Sequence, residues 1–439
     1  MLRIAVITLA ALCCLPVARA GQTRQPIPVA RDADPFAPVY VLTAPEHARY
    51  LRGTAKILST RTDRAGRRVS LLEMQQHQVD DLSTEIHARE DRCGGFFAFA
   101  TRAEAEQFLA VDQTAAVVAG KYGVFDDPLA IDNGALIAPT LAQVDAQHMA
   151  NMIWMLSEHY PNRYFASVNG TNSALAIRDY WRALAAGRRD ISTEMVGCGN
   201  CGVQSSVVLT IRGTRWPDEI VVLGAHLDSI SNVVLPDGER DAPGADDDAS
   251  GIAVLTDVLR IAMANGWRPQ RTVKLMGYAA EEVGLRGSRA IAQQYAAEGR
   301  KVVGVLQLDM TNYKTGSLDM RLVTDYSSPV MQQYLVGLFD TYLAPLGHTR
   351  GTITCGYACS DHASWTQYGF PSAFMFEPAA GTTSLSDDFP YIHTPNDTLA
   401  NMGLSTAPSV AFVRLGLAFM GELGEVRTPL ALPLPSTRK

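Results

Sequence analysis

Three consecutive carboxylates constrain the fold of this chain more than any other stretch. Asp246, Asp247 and Asp248 repel one another, so a folded protein keeps them together only where cations or backbone N–H groups meet them. Apolar residues at helical spacing follow over residues 252–259 and predict a helix, which places the acids at the positive end of its dipole. The run is therefore either an acid-rich helix cap or part of a metal site.

A calcium-binding loop is a further interpretation of the same stretch. The EF-hand spacing is approximately met by Asp246, Asp248, Ser250, Gly251 and Asp257. Pro243 and Gly244 leave no helix before the loop, and its last ligand would be an aspartate instead of a bidentate glutamate. Calcium is therefore disfavoured, and the choice depends on further ligands along the chain.

Size and charge narrow the class of protein. With 439 residues, 47% of them hydrophobic, the chain can bury a core large enough for a main domain and one smaller unit. A net charge of −7 argues against a nucleic-acid partner and leaves no polybasic patch for a membrane surface.

The N-terminus has the pattern of a secretory signal peptide. Arg3 precedes an apolar run over residues 4–17, and Ala18-Arg19-Ala20 matches an A-x-A cleavage site. The apolar run is too short to span a bilayer. We therefore expect residues 1–20 to be removed and the mature protein to be secreted, extracellular or periplasmic in transit, with no membrane partner.

Cysteine spacing predicts two small disulfide loops in an oxidising compartment, Cys198–Cys201 and Cys355–Cys359. A structural zinc knuckle is the alternative, but export favours oxidation and the two spacings differ. Cys93 stays unpaired in this scheme.

The chain divides into a small N-terminal unit and a larger region. Residues 40–125 mix short apolar runs with one helical segment and predict a small α/β unit without a catalytic constellation. Turn residues cluster over 126–134 and predict a domain boundary near residue 130. The larger region then spans 131–425, and a Pro-rich tail covers 426–439.

Strands and helices alternate within the larger region. Short apolar runs predict strands at 206–212, 219–224, 272–278 and 302–308. Helical spacing predicts helices at 143–159, 173–186, 251–264, 286–298, 328–343 and 408–423, with a polar loop at 169–172. This alternation predicts an α/β fold with a mostly parallel twisted sheet flanked by helices.

Side chains that bind metals follow three of the predicted strands. Ligands bind beyond the carboxyl ends of strands in open α/β sheets, where this chain places His226 and Asp228, Glu281 and Glu282, and Asp309. His226 and Asp228 point the same way on an extended backbone, so Asp228 can orient the imidazole. Adjacent Glu281 and Glu282 point apart, so one can bind metal while the other acts as a base.

A later loop adds a second imidazole, His393. Imidazole and carboxylate ligands without thiolates suit zinc, with cobalt or manganese as substitutes. Two histidines and three acids exceed what one zinc takes, whereas two metals that share a bridging carboxylate use such a set fully. The sequence therefore favours a metal site over a simple helix cap.

These stretches resemble the motifs of the secreted bacterial leucyl aminopeptidases of the M28 family, which are two-zinc exopeptidases. The similarity runs from about residue 135 to 425 in the family's order and is carried by residues 226–229, 242–251, 278–288, 306–313, 355–362 and 392–394. The resemblance implies the zinc-exopeptidase fold, two Zn²⁺ per chain, and removal of Leu-like residues from peptide or protein N-termini. We also expect a monomer.

The resemblance assigns roles to individual residues. It makes Asp247 a bridging ligand and completes the two zinc shells with His226 and Asp309 on one ion and Glu282 and His393 on the other. Glu281 would be the general base, Asp228 the partner that orients His226, and Tyr357 a donor to the developing oxyanion. The Cys355–Cys359 pair matches the family's small disulfide loop, whereas Cys198–Cys201 lies outside its motifs.

Apolar residues near the motifs are candidates for a substrate pocket, although each fits an ordinary core equally well: Met310, Val323, Phe374, Phe376 and Ile392. The segment 377–388 before His393 is longer than the family's corresponding loop. Substrate preference is therefore the property that transfers least directly from the resemblance.

The N-terminal unit carries no predicted ligand and precedes the resemblance. Relatives of the family travel with a propeptide, so we predict that residues 21–130 assist folding, cover the metal cleft and are cut off near residues 120–135. The unpaired Cys93 would leave with this unit. A permanent accessory domain is the alternative.

Other functions remain compatible with the fold. Glutaminyl cyclases resemble this family but use one zinc, and some relatives are receptor ectodomains without activity. The complete set of predicted ligands argues against a receptor ectodomain and makes a glutaminyl cyclase less favoured. A carboxypeptidase of similar metal architecture also stays open, because the sequence does not show which end of a substrate is held.

Overall fold

The computed structural model describes residues 34–51, 53–63, 66–90, 95–110, 129–378 and 389–428. The signal peptide, Cys93 and the tail beyond residue 428 lie outside the described residues, as do residues 120–128 of the predicted cleavage region and most of the 377–388 segment. Within the described ranges, no helix is both long and apolar enough to cross a lipid bilayer.

The N-terminal unit is a four-stranded antiparallel sheet with two helices. Its strands are β1 (Pro38–Thr43), β2 (Lys56–Thr62), β3 (Arg68–Gln75) and β4 (Phe97–Phe99), in the order β2-β3-β1-β4. Helix α1 (His77–Glu90) follows β3, and α2 occupies residues 102–110. Val41, Leu72 and Leu82 are fully buried between the sheet and α1, which gives the unit an apolar core.

The larger region is built on an eight-stranded sheet in the order β11-β10-β12-β9-β7-β8-β6-β5. The strands are β5 (Ile191–Val196), β6 (Ser206–Ile211), β7 (Trp216–His226), β8 (Arg271–Tyr278), β9 (Lys301–Leu308), β10 (Met320–Val323), β11 (Arg350–Ile353) and β12 (Ser372–Phe376). The central four, β12, β9, β7 and β8, run parallel, whereas β6 pairs antiparallel with β8. On the other side β10 pairs antiparallel with β12, so the predicted mostly parallel α/β sheet is confirmed, with antiparallel pairing on both sides of the central strands.

Helices cover both faces of this sheet. They are α3 (Gly134–Ile137), α4 (Ala146–Ser157), α5 (Val168–Leu184), α6 (Ala249–Ala264), α7 (Arg286–Ala297), α8 (Pro329–Leu338), α9 (His362–Gln367) and α10 (Ser409–Leu423). Alternate residues of β7 face opposite layers: Val221 and Leu223 pack with α4, α5, α6 and α10, and Val222 packs with α7 and α9. Central strands read as continuous apolar runs because both of their faces are buried.

Helix α5 begins earlier than the sequence predicts. Residues 169–172 were predicted as a polar loop, and that prediction is wrong, because Ser167 caps the helix by accepting the N–H of Gly170 at 2.9 Å. A Cβ at Gly170 would lie 2.1 Å from the carbonyl oxygen of Tyr164. This glycine therefore permits close packing against the preceding chain and does not mark a turn.

The N-terminal unit packs against the loop that follows β8. Val79 and Ile86 of α1 share one apolar cluster with Ala279, Ala280 and Val283. The backbone N–H of Ala98 in β4 donates to the carbonyl of Gly284 at 3.1 Å, and a Cβ on Gly284 would lie 2.6 Å from the Ala98 side chain. The unit therefore contacts the chain next to Glu281 and Glu282.

Candidate metal centre

Parallel strands bring the predicted ligands to one edge of the central sheet, here called the carboxyl edge. Strand β7 ends at His226, β8 at Tyr278 and β9 at Leu308, and the three strands are direct neighbours. Helix α6 begins at the same edge, where the carboxylate of Asp248 caps it by accepting the N–H of Gly251 at 2.8 Å. This is the edge at which open α/β sheets bind ligands.

Two imidazoles and three carboxylates form two linked groups at the carboxyl edge. His226 Nε2 lies 2.8 Å from Asp247 Oδ1 and 3.5 Å from Asp309 Oδ1. His393 Nε2 lies 3.2 Å from Asp247 Oδ2 and 2.8 Å from Glu282 Oε2. Asp247 therefore presents one oxygen to each imidazole, and all five side chains are buried or nearly so.

The three consecutive aspartates have different contacts. Asp248 also has an oxygen within 4.8 Å of the ligand atoms of His226 and Asp309, but both of its oxygens accept backbone N–H groups, from His226 at 2.9 Å and from Gly251 at 2.8 Å. Asp246 accepts the N–H of Asn312 at 3.0 Å. Asp247 is the aspartate of this run whose oxygens face both imidazoles.

Asp228 contacts both His226 and the chain at Glu281 and Glu282. Nδ1 of His226 lies 3.1 Å from the backbone carbonyl of Asp228 and 3.6 Å from its carboxylate. The carboxylate also accepts the N–H groups of Glu281 at 2.9 Å and Glu282 at 3.1 Å. Asp228 thus fixes the imidazole through its backbone and the glutamate loop through its side chain, because the chain turns sharply after β8.

Burial and mutual repulsion change the pKa values of the acids at this edge. Burial raises the pKa of Glu281 well above its usual value, and neighbouring acids raise it further. Burial also raises the pKa of Glu282, to about 7, with a contribution from Asp247. Burial alone would raise the pKa of Asp247 too, but hydrogen bonds from His226 and His393 hold it below its usual range. Closely packed buried acids of this kind favour the binding of cations.

The donor set fits zinc. It offers imidazole nitrogen and carboxylate oxygen without thiolate, and Oε1 of Glu282 is buried without a hydrogen-bond partner among the described residues. These four cysteines of the described residues are not available as ligands, because Cys198–Cys201 and Cys355–Cys359 form the predicted disulfides. The alternative prediction, a zinc knuckle built from those pairs, is therefore wrong.

Several side chains that hydrogen-bond to the residues of the two groups were not predicted from the sequence. Ser360 donates to Oδ2 of Asp309 at 2.5 Å, and Asp397 accepts the backbone N–H groups of Asp246 at 2.8 Å and Asp247 at 3.1 Å. Ser360 lies within the stretch 355–362 and Asp397 lies three residues after the stretch 392–394, so their positions offered a signal. Arg163 and His87 gave none, because each reaches the site from a distant part of the chain.

The candidate pocket residues come together in one apolar cluster. Met310, Val323, Phe374 and Phe376 are buried in it with Ile353 and Phe389, and Ile392 packs against it. Met310 follows Asp309 and Ile392 precedes His393, so the cluster adjoins both imidazole–carboxylate groups. Its position is compatible with an apolar subsite.

Tyr357 lies in the disulfide loop between Cys355 and Cys359. Asp325 anchors this loop by accepting the N–H groups of Cys355 and Gly356, both at 2.9 Å. Tyr357 is buried and contributes to the wall of a cavity of about 1090 Å³ between the loop and strands of the N-terminal unit. The wall of this cavity includes none of the five imidazole–carboxylate residues.

The N-terminal unit reaches the carboxyl edge with α1. The ring of His87 lies 5.2 Å from that of His393, centroid to centroid. Asp80, about two turns earlier on the same face of α1, accepts hydrogen bonds from Tyr164 at 2.5 Å and Arg240 at 2.6 Å. Helix α1 is thus held over the side of the site that His393 occupies.

A mostly parallel sheet with linked imidazole–carboxylate groups at its carboxyl edge is typical of metal-dependent hydrolases. The sequence profile of Peptidase family M28 matches residues 206–418. A probable leucine aminopeptidase of Trichophyton verrucosum is 34% identical over 329 residues, which cover 74% of this chain and 84% of that protein. The chain belongs to Peptidase family M28 and is an aminopeptidase that acts on peptides.

Solved structures support the same fold. LapB from Legionella pneumophila is 27% identical with a TM-score of 0.72, and the match covers 88% of this chain and 99% of that one. A zinc aminopeptidase from Bacillus subtilis is 15% identical with a TM-score of 0.50, covers 64% of this chain and 95% of that one, and shows the fold alone. Residues 129–428 are about two thirds of the chain, so the LapB match extends into the N-terminal unit.

Proposed function

We propose that this protein is an exported two-zinc aminopeptidase that removes large apolar, leucine-like residues from the N-termini of peptides. The observation that carries the proposal is the position of Asp247, with one carboxylate oxygen facing each of two imidazoles that each have a further acid beside them. A bridging carboxylate between two such groups is the ligand pattern of a two-metal hydrolase.

Each residue of the carboxyl edge then has a role. His226 and Asp309 would hold one ion, Glu282 and His393 would hold the other, and Asp247 would contribute one oxygen to each. Bound zinc would lower the pKa of the attacking water and polarise the scissile carbonyl.

Glu281 takes the proton from the water and returns it to the leaving amine. Its backbone is fixed by Asp228, and burial raises its pKa, as suits a carboxyl that must both accept and release a proton. Tyr357 donates to the oxyanion that develops on the substrate carbonyl.

The substrate preference is inferred from the apolar cluster and from the relatives. The free α-amine of the substrate would bind beside the imidazole–carboxylate groups, and its first side chain would enter the cluster that contains Met310, Phe374 and Phe376. A leucine-sized side chain suits an apolar subsite of this kind. The relative from Trichophyton verrucosum carries the name of leucine aminopeptidase. We further propose that the enzyme acts as a monomer.

Hydrolysis of leucyl-p-nitroanilide, compared with its N-acetylated form, tests the proposal together with zinc content per chain. We expect turnover of the free-amine substrate only, two zinc ions per chain, and loss of turnover with a chelator. One zinc with cyclisation of N-terminal glutamine would establish the cyclase alternative, and zinc-free protein without turnover would establish a binding relative. Release of C-terminal residues from an N-blocked peptide would indicate a carboxypeptidase.

We also propose that residues 21–130 act as a propeptide that assists folding and covers the metal cleft. The contacts that support this place α1 and β4 on the site: His87 lies against His393, Asp80 binds Arg240, and Ala98 binds Gly284. Because these contacts lie beside the predicted base and a predicted ligand, the bound unit restricts access from that side.

N-terminal sequencing of the secreted protein, with activity measured before and after limited proteolysis, tests this second proposal. We expect the active form to begin near residues 120–135. An active form that begins near residue 21 and does not change on clipping would identify a permanent accessory domain.

A further inference from the structure

The backbone that carries Asp247 is held on its carbonyl side by one buried arginine. Arg163 is fully buried in the connection between α4 and α5. Its guanidinium donates to the carbonyl oxygens of Pro243, of Gly244 at 2.8 Å and of Asp247 at 3.3 Å. The planar fork of arginine makes several directed hydrogen bonds at once, which lysine cannot do.

The same segment is held on its N–H side by a buried carboxylate. Asp397 accepts the N–H groups of Asp246 at 2.8 Å and Asp247 at 3.1 Å, one with each oxygen. Its own backbone carbonyl accepts the N–H of Ala245 at 3.1 Å. The segment 243–247 therefore lies between a fully buried cation and a buried anion.

Each of these two residues also connects the segment to one imidazole. Arg163 Nε donates to the carbonyl of Leu227 at 2.9 Å, and Leu227 stands between His226 and Asp228. Asp397 lies four residues after His393 in the same loop. The two side chains thus fix the backbone of Asp247 relative to both histidines.

We propose that Arg163 and Asp397 form a clamp that positions the Asp247 carboxylate between His226 and His393. The clamp touches no substrate, so both members are positioning residues. This inference rests on the proposed two-metal site, and it assigns a function to residues outside the predicted ligand set.

Charge as well as geometry supports the clamp. Arg163 lies among four buried acids, Asp397, Asp248, Asp247 and Asp228, whose negative charges attract its guanidinium. A guanidinium among these acids reduces their mutual repulsion without using the carboxylate oxygens that face the imidazoles, because it binds backbone carbonyls. Residues that orient metal ligands in this way typically change metal affinity about 10–100-fold when replaced.

Zinc titration of metal-free protein tests the clamp in two variants, Arg163→Lys and Asp397→Asn. The first keeps the charge but loses the fork, and the second keeps the shape but presents an N–H group to one of the two backbone donors. We expect zinc binding about 10–100-fold weaker in each variant. In the double variant we expect a loss smaller than the product of the two, because both residues hold one segment.

Two matched controls separate positioning from general stability. Arg188→Lys removes a fork that binds Asp190 and the carbonyl of Trp267, near the start of β8 at the opposite edge of the sheet. Asp257→Asn removes a buried carboxylate of α6 that is paired with Arg260. We expect both controls to lower the melting temperature of the metal-free protein and to leave zinc affinity unchanged.

The outcomes are distinguishable. If the unaltered chain binds no zinc, the proposed two-metal function is wrong, and so is the clamp that depends on it. If the unaltered chain binds zinc and the clamp variants bind it equally tightly, with melting temperatures lowered only as in the controls, the clamp proposal is wrong. Asp397→Asn is nearly isosteric and decides the test if Arg163→Lys does not fold.

Discussion

Acidic residues at the two edges of the central sheet have different surroundings. One is the carboxyl edge, and the other, here called the amino edge, lies opposite it, where the parallel strands begin. At the carboxyl edge, buried acids lie close to one another, and burial raises the pKa of Glu281 and Glu282. At the amino edge, Glu219 accepts from Arg271 at 2.6 Å and from Lys301 at 2.7 Å. Glu219 at the amino edge thus has two cationic side chains as direct partners, whereas Glu281 and Glu282 at the carboxyl edge lie among other buried acids.

This difference separates function from stability within one sheet. Paired acids contribute to the free energy of unfolding, although modestly when they are near the surface. Crowded buried acids reduce that free energy, and a protein retains them where they perform chemistry. Substitutions at the two edges should therefore affect different quantities.

The largest effect is expected for Asp247→Ala. Because one carboxylate oxygen faces each imidazole, the substitution removes a ligand of both ions, and we expect loss of both zinc ions and of detectable turnover. Metal analysis of the purified variant, with leucyl-p-nitroanilide hydrolysis, provides the measurement. Asp246→Asn is the matched control and should keep its zinc, because Asp246 binds Asn312. Zinc retained in Asp247→Ala and lost in the control would reverse the assignment.

The second-largest effect is expected for Glu281→Gln. This variant should keep both zinc ions, but its turnover should fall about 10²–10⁴-fold, because an amide cannot accept the proton of the water. The raised pKa of Glu281 also gives a sign for pH: the base is lost as pH falls through that pKa, so turnover of the unaltered enzyme should fall on the acidic side.

Stability gives this second variant a further readout. A carboxyl with a raised pKa is ionised at a cost in the folded protein, so the metal-free Glu281→Gln variant should be no less stable at pH 7 than the unaltered metal-free protein. A fully active variant would exclude Glu281 as the base. A marked loss of stability would contradict the contrast between the two edges.

The carboxyl edge was also the part of the molecule that the sequence predicted best. His226 ends β7, and Glu281, Glu282 and Asp309 follow β8 and β9 within a few residues. The strand ends at Tyr278 and Leu308 were predicted to the residue. The position of each residue relative to its own strand was sufficient for this prediction, because neighbouring parallel strands end side by side.

What the sequence did not predict depends on contacts between distant segments. Arg163 binds carbonyl groups about 80 positions further along the chain, and His87 meets His393 from another unit. A single arginine in a loop or a single histidine in a helix forms no sequence pattern that would predict such a partner. The early start of α5 was missed because Gly170 was interpreted as a turn residue when it permits close packing.

A smaller effect is expected for Glu219→Gln at the amino edge. Burial alone would raise the pKa of Glu219, but hydrogen bonds from Lys301 and Arg271 hold it below its usual value. Loss of the charge should lower the free energy of unfolding by about 1–2 kcal/mol, since two charge-assisted hydrogen bonds weaken. Urea denaturation measures this, and kcat with leucyl-p-nitroanilide should not change. Reduced kcat at full stability would mean that the two edges are not independent.

The smallest effect is a pH dependence at Asp190, also at the amino edge. A hydrogen bond from Arg188 lowers the pKa of Asp190 to about 2, below its ordinary value of 3.8. A carboxyl whose pKa is lower in the folded state stabilises the protein above the unfolded pKa, and the contribution disappears as pH falls from about 4 through about 2. Because the pair is partly exposed, the contribution should be about 1 kcal/mol or less.

Urea denaturation of the unaltered protein and of Asp190→Asn at pH 6 and pH 3 isolates this contribution. The difference in unfolding free energy between the two proteins should be larger at pH 6, because the acids of the carboxyl edge titrate equally in both and cancel. An equal difference at the two pH values would show that Arg188 does not hold Asp190 ionised. The amino edge would then lack the electrostatic stabilisation that distinguishes it from the carboxyl edge.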